Sequence, residues 1–417
     1  MNAIKKISAL EILDSRGNPT VKATVVLESG ILGSASVPSG ASTGSYEALE
    51  LRDKDARYGG MGVLTACENI DKRINEALLG FDAADQKSID KLLIELDGTE
   101  NKSGLGANAI LAVSLASARA AAKLESLELY EYIAKTFGLK KPRTLPTAFF
   151  NIINGGAHSD SGLSIQEFQI IPREFKTFSE KLQVASEVFH KLKAIFENSG
   201  YPTGVGDEGG FAPKLGSQGE AFEFLGEAIK EAGYNFSGLV SVGIDAAASN
   251  FFDKSENRYT LKPENTSLET ERLISLYQEW VSKYKVFSIE DGLMEGDFEG
   301  WKKLNERLSN KCLVIGDDLL ATNRNRLEKA LSFSALNAAI VKPNQIGTLT
   351  ETIEFVKYCQ KNGIKIIVSH RSGETEDDFV ADLAVAVGAQ FVKFGAPCRG
   401  ERTAKYNRLL EIENELK

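Results

Sequence analysis

Three carboxylates, two lysines and a histidine recur in the second half of this 417-residue chain, each closing a short apolar run. VSVGID ends at Asp245, VFSIE at Glu290, CLVIGD at Asp317, AAIVK at Lys342, IKIIVSH at His370 and AQFVK at Lys393. Read alone, any one of the acidic residues serves equally well as the N-cap of a following helix. Three that converge are different, because carboxylates brought together repel unless a cation lies between them. An all-oxygen set suits a hard divalent ion, Mg²⁺ rather than Zn²⁺. Either lysine alone is most simply a surface side chain with its head in water. Beside a metal and a second cation its ammonium form is disfavoured, and the neutral amine that results is a base.

Positioning those residues is a matter of βα units. The spacings are 45, 27, 25, 28 and 23 residues, and helical patterns such as ETERLISLYQEW and TLTETIEFVKYCQKNG fill the gaps. Continuous Val/Ile-rich runs are what strands covered on both faces look like, so the second half reads as a parallel α/β barrel with its chemistry at the C-terminal strand ends. The first 40 residues instead carry ISALEIL, TVKATVVLE and ILGSASV, separated by the turn sequences DSRGNP and ESG, the pattern of an antiparallel meander. Helical periodicity follows in ACENIDKRINEALLG, DQKSIDKLLIEL and ANAILAVSLASARAAAK. The stretch GLKKPRTLP, near residues 138 to 146, marks the expected boundary. Residues 1–137 are therefore expected to form an α+β capping domain and residues 138–417 the barrel.

Composition narrows the function. A net charge of −9, with no basic stripe, argues against nucleic acid as a primary partner. An acidic protein acting on an anionic substrate needs local positive charge, which bound divalent metal supplies. Cys67, Cys312, Cys359 and Cys398 are far apart and form no CxxC pair, so a reduced, cytoplasmic protein is expected. No stretch approaches the roughly 18 apolar residues of a membrane span, and no signal peptide is expected.

Of the three histidines, His190 lies in a helical pattern and reads as structural, while His158 in NGGAHSD and His370 in VSHRSGETED fall at loop or strand-end positions. Arg371 and Ser372 offer a forked cation and a hydroxyl suited to phosphate. GVGDEG matches GxGxxG literally, but no apolar strand precedes it and Asp207 and Glu208 would repel a pyrophosphate. A flexible acidic loop is expected, with Glu208 placed to act as a general acid. PSGASTG lacks the GK[ST] ending of a phosphate-binding loop and reads as a mobile lid.

EILDSRGNPTV, VPSGASTGSYEALELRD, LGANAILAVSLA, NGGAHSD, IQEF, GDEGGFAP, VKPNQIGTLTET, VSHRSGETED and GAPCRGERTAKYN run the length of the chain in one order. Over essentially its whole length the sequence resembles the enolase family. The resemblance implies a TIM-like, enolase-type α/β barrel with a smaller N-terminal α+β domain, and the magnesium-dependent dehydration of 2-phosphoglycerate to phosphoenolpyruvate. It implies Lys342 as the base and Glu208 as the acid, supported by Glu167, with His158 and His370 lining the pocket. Gln166, Arg371, Ser372 and Lys393 would bind the substrate's carboxylate and phosphate. Asp245, Glu290 and Asp317 would hold one Mg²⁺, and Ser42 on the lid would help hold a second. A homodimer or higher even-numbered assembly is implied, and family likeness alone raises binding roles in RNA processing or at the cell surface through Lys417. The sequence departs from the usual family pattern at Gly104, Asn250, Phe252, Phe394 and Gly400, none of them a proposed catalytic group. The competing expectation is an acid-sugar dehydratase or racemase on a related barrel. Such an enzyme would have no use for Arg371, Ser372 and the lid as phosphate equipment.

Overall fold

The computed structural model of the chain describes residues 2–40, 44–140, 143–236 and 238–417. The chain opens with an antiparallel meander of β1 (Ile4–Leu13), β2 (Pro19–Leu27) and β3 (Leu32–Ser36). Helical segments follow at 64–78, where a π-helical turn occupies Ile70–Ile74, and at Gln86–Asp97, Ala107–Leu124 and Leu129–Thr136. Ala107–Leu124 is buried along nearly all its length, and its small side chains let the sheet lie directly on it. At Gly33 the fit is tightest: a Cβ there would sit 2.3 Å from the Ala116 carbonyl oxygen and the Ala120 nitrogen.

The remainder is a closed eight-stranded barrel, formed by β4 (Thr147–Asn154), β5 (Glu167–Pro172), β6 (Val240–Asp245), β10 (Val286–Glu290), β11 (Leu313–Gly316), β12 (Ala338–Val341), β13 (Lys365–Ser369) and β14 (Phe391–Lys393). The short strands β7 (Phe252–Asp253), β8 (Arg258–Leu261) and β9 (Thr266–Leu268) form a separate small sheet after β6. The barrel is not wholly parallel, as the apolar runs alone suggested. β5 pairs antiparallel with both β4 and β6, whereas the other neighbours are parallel. The cause is the connection, because β4 reaches β5 through a loop with no crossover helix, and a parallel neighbour would need one. The reversal serves the site: Glu167 begins its strand yet pairs with Asn154 on one side and Asp245 on the other, so a strand start joins a ring of strand ends.

The opposite end of the lumen is apolar. Phe149, Ile171, Leu313, Ile315, Ala338, Ile340 and Ile367 form a cluster of their own. The Phe149 ring centroid lies 5.0 Å from that of Phe391 and 6.4 Å from that of Phe287, so three aromatic rings floor the barrel.

Polar contacts join the N-terminal helices to the barrel. Asp90 accepts from the Thr350 backbone and hydroxyl, Ser114 accepts from the Leu349 amide, Lys102 pairs with Glu351 at 3.0 Å, and Arg119 forks onto Asp377. An N-terminal bridge between Ser39 and Gly373, with amide-to-carbonyl bonds of 2.7 and 2.9 Å in both directions, brings the start of PSGASTG over the barrel mouth.

Gly33→Ala drives a methyl into helix backbone that cannot yield, and should destabilise by about 1–3 kcal/mol, seen as a thermal midpoint several degrees lower. Gly400→Ala, whose added methyl meets nothing within 4 Å, should leave the midpoint unchanged or slightly higher. Equal midpoints for the two variants would contradict this packing.

Candidate active site

The barrel mouth gathers the expected residues into one cavity. Its wall includes His158, Gln166, Glu167, Glu208, Asp245, Asp317, Lys342, His370, Arg371, Ser372 and Lys393. Only about 30 Å³ of it is open to the centres of water molecules, room for a few waters or ions at a time. Glu290 lies immediately behind, in contact with Lys393. Ser42 lies outside the described residues.

Lys393 is the centre of this arrangement. Its ammonium donates to Glu290 at 2.7 Å, Asp245 at 3.0 Å and Glu167 at 3.1 Å, and all four side chains are buried. Burial alone would lower the lysine, but the three carboxylates hold it well above its ordinary value. Three carboxylates against one ammonium leave an excess of negative charge. Burial and then Asp245 accordingly hold Glu290 well above the usual carboxylate range, and burial and Glu208 do the same to Glu167. Such a site must take up protons or a further cation.

Asp317 pairs with Lys342 on one oxygen and accepts from Gln345 Nε2 at 3.0 Å on the other. Burial works to lower the Lys342 ammonium, yet the Asp317 carboxylate overrides it, and the amine is held above its ordinary value. This reverses the direction expected from the sequence. Arg371 and Lys393 do press the lysine toward neutrality, but Asp317 is in direct contact and prevails.

Glu208 sits among donors. Its Oε1 lies 3.4 Å from His370 Nε2 and 3.5 Å from His158 Nδ1, and its Oε2 accepts from Asn151 at 2.9 Å. Burial would raise this carboxyl, but His370, His158 and Lys393 together pull it well below the ordinary range. One donor atom each from His158, Glu167 and Glu208 falls within 4.8 Å of the others. The loop bearing Glu208 is not the flexible one expected. Gly206 and Gly210, Asp207 and His158, and Ala396 and Glu208 are joined by backbone hydrogen bonds of 2.8 to 3.1 Å.

Arg371 presents both terminal nitrogens to Glu47, at 2.8 and 3.1 Å, and one of them to Asn344 at 3.0 Å. Ser372 is buried beside it. His190 lies on the helix Phe178–Asn198, as its pattern suggested, and faces solvent there. Phe394 is fully buried against Tyr406, with ring centroids 5.8 Å apart.

Several participants carried no sequence signal of their own. Glu47, Asn151 and Gln345 reach the site only through tertiary contacts. Asp291 and Asp318 follow residues already singled out, and their adjacency to Glu290 and Asp317 was the available clue. Asp291, Asp317 and Asp318 bring ligand oxygens within 4.8 Å of one another. Asp291, however, uses both oxygens to accept the amides of Asp317 and Asp318, and so supports that strand end.

The acidic set fits a divalent ion on its own chemistry. All donors are oxygens, the local charge is negative, and Glu290 Oε2 is buried with no hydrogen-bond partner among the described residues. Fold and site thus define an α/β-barrel enzyme of the metal-dependent acid–base class. Residues 142–417 match the family description "Enolase, C-terminal TIM barrel domain", and residues 4–133 match "Enolase, N-terminal domain". A curated protein named "Enolase" from a Nitratiruptor species is 50% identical over 413 residues, which cover 99% of this chain and 97% of that one. The chain belongs to the enolase family, and its activity is that of a lyase, phosphopyruvate hydratase.

Burial pushes the His370 imidazole down to about 3, from an ordinary 6.5. The unfolded chain therefore binds the proton first, and this contribution to stability is complete above about pH 6.5 and is lost as pH falls toward about 3. His370→Asn should flatten the fall in stability over that window, as followed by denaturant titration at several pH values. An unchanged slope would show that His370 titrates normally in the fold.

Proposed function

We propose that this enzyme interconverts 2-phosphoglycerate and phosphoenolpyruvate, with Lys342 as base and Glu208 as acid on opposite faces of the substrate. The supporting observation is the ring order. Lys342 follows β12 and Glu167 opens β5, four strands apart in a closed ring of eight, so they face each other across the mouth. Glu208 stands on the Glu167 side, beside His158 and His370. A proton removed from one face and a hydroxyl protonated on the other describe an anti elimination.

Lys342 becomes a base once Asp317 is committed elsewhere, because burial, Arg371 and Lys393 then oppose its ammonium and only the weaker pull of Glu290 supports it. Abstraction beside a carboxylate leaves two negative charges on the substrate's acid group, which is prohibitive without positive charge already in place. Asp245, Glu290 and Asp317 would hold a Mg²⁺ and Ser42 would help hold a second, supplying that charge when bound. Glu208 gives its proton to the departing hydroxyl, and Glu167 is the neighbouring proton reserve. Gln166, Lys393 and Ser372 orient the substrate, while Arg371 exchanges the Glu47 carboxylate for phosphate, another acceptor that matches its fork. His158 and His370 complete the wall and exclude water.

We further take residues 1–137 as the capping unit and 138–417 as the catalytic barrel, a division supported by the gap between the two family matches. No helix among the described residues is long and apolar enough to cross a membrane. Cytoplasmic residence and an even-numbered homo-oligomer are proposed from family membership, as are any secondary RNA-processing or cell-surface partners.

Formation of phosphoenolpyruvate, followed by absorbance, should require Mg²⁺ and stop on addition of EDTA. Product formed at full rate in EDTA would exclude the metal role. Lys342→Ala should abolish hydrogen–deuterium exchange at the substrate carbon beside the carboxylate, and persisting exchange would assign the base elsewhere. Turnover of unphosphorylated sugar acids in preference to 2-phosphoglycerate would replace this function with that of a related dehydratase.

A further inference from the structure

The third residue of the C-terminal helix, Gly400–Glu415, is Arg402, and it is completely buried. Its Nε lies 3.4 Å from the Glu401 carboxylate, and its two terminal nitrogens reach four further partners. One terminal nitrogen lies 2.6 Å from His370 Nδ1 and donates to the Arg371 carbonyl at 2.6 Å. The other donates to the Ser372 carbonyl at 2.6 Å and the Asp207 carbonyl at 3.0 Å. One side chain thus grips the backbone just before the acid, at Asp207, and at the phosphate-binding pair, Arg371 and Ser372.

We propose that Arg402 is a positioning residue that locks His370 in its Nε2–H tautomer, so that the ring can donate to Glu208 but never take its proton. The chemistry is direct. A guanidinium has donors and no acceptor and does not deprotonate in proteins, so the ring nitrogen facing it must be the acceptor. The ring's single proton is therefore on Nε2, which faces Glu208 Oε1 at 3.4 Å and has no closer partner among the described residues. The charged and titratable groups acting on the ring are Glu208, Arg402 and Lys393. Burial, followed by the two cations, disfavours a second ring proton, with Glu208 opposing.

A histidine beside a catalytic acid is normally a hazard, because the two can neutralise each other as an imidazolium and a carboxylate. With its one lone pair occupied by Arg402, His370 offers no such exit. The Glu208 proton can then pass to the departing hydroxyl, giving water and a carboxylate. In the reverse direction the carboxylate, faced by His370 at 3.4 Å on one oxygen and held by Asn151 on the other, takes a proton from water. The kinetic consequence rests on the reading of Glu208 as the acid, whereas the tautomer stands on geometry alone.

The chain has only three histidines, so ¹⁵N-labelled imidazoles give three assignable spin systems. In the unmodified enzyme, His370 should show a single Nε2–H tautomer that stays neutral across about pH 5 to 8. Arg402→Met should produce mixed tautomers or a ring that titrates within that range, while Arg402→Lys, also a pure donor, should restore the tautomer. An Nδ1–H tautomer in the unmodified enzyme overturns the proposal even where Arg402→Met fails to fold, as does an unchanged ring in a folded Arg402→Met. In turnover of 2-phosphoglycerate, Arg402→Met should lower kcat about 100-fold. In a His370→Gln background the same change should cost less than about threefold. Equal costs in both backgrounds would reduce Arg402 to a backbone clamp. Absence of hydratase activity in the unmodified enzyme would remove the functional reading and leave the tautomer result standing.

Discussion

Everything at the barrel mouth answers to one electrostatic constraint, an excess of buried carboxylate over buried cation. Glu167, Asp245 and Glu290 share one ammonium, that of Lys393, where burial leaves little solvent to screen them. Desolvation of this order is tolerable only where each charge is paired or the set awaits a further positive charge. Asp317 answers by taking Lys342, and Glu47 takes Arg371. The side chains proposed to take part in turnover are therefore already committed to one another. A ligand competes with internal ion pairs, and binding is an exchange of partners.

The fold meets this constraint with one departure from regularity. Because β5 runs against its neighbours, an acidic residue at a strand start enters the same ring as residues at strand ends. The N-terminal unit contributes from outside. The Ser39 bridge and the Arg371–Glu47 pair bring the chain around Ser39 and Glu47 into contact with the loop that carries Arg371, and the ion pairs of Lys102 and Arg119 hold the two halves together.

Much of this was legible in the sequence, for a physical reason. Strands buried on both faces leave unbroken apolar runs, so a charged residue that ends one is conspicuous, and Asp245, Glu290, Asp317, Lys342 and Lys393 could be found on that basis. Other positions have no such contrast. Glu47 in a loop, Gln345 in the short turn of helix after Lys342 and Asn151 within β4 show no link to the site until the fold brings them together, and Arg402 sits in a charged helix start. The antiparallel β5 was hidden because burial on both faces gives the same pattern for either strand direction. The protonation bias of Lys342 was also beyond the sequence, since it depends on whether Asp317 or Arg371 lies nearer, a matter of a few ångströms.

The aromatic floor of Phe149, Phe287 and Phe391 has a kinetic meaning. A barrel stoppered at one end is a vessel with a single doorway. Ions, substrate, the released water and the finished product must all queue at the same opening, beneath the same segment of the N-terminal unit.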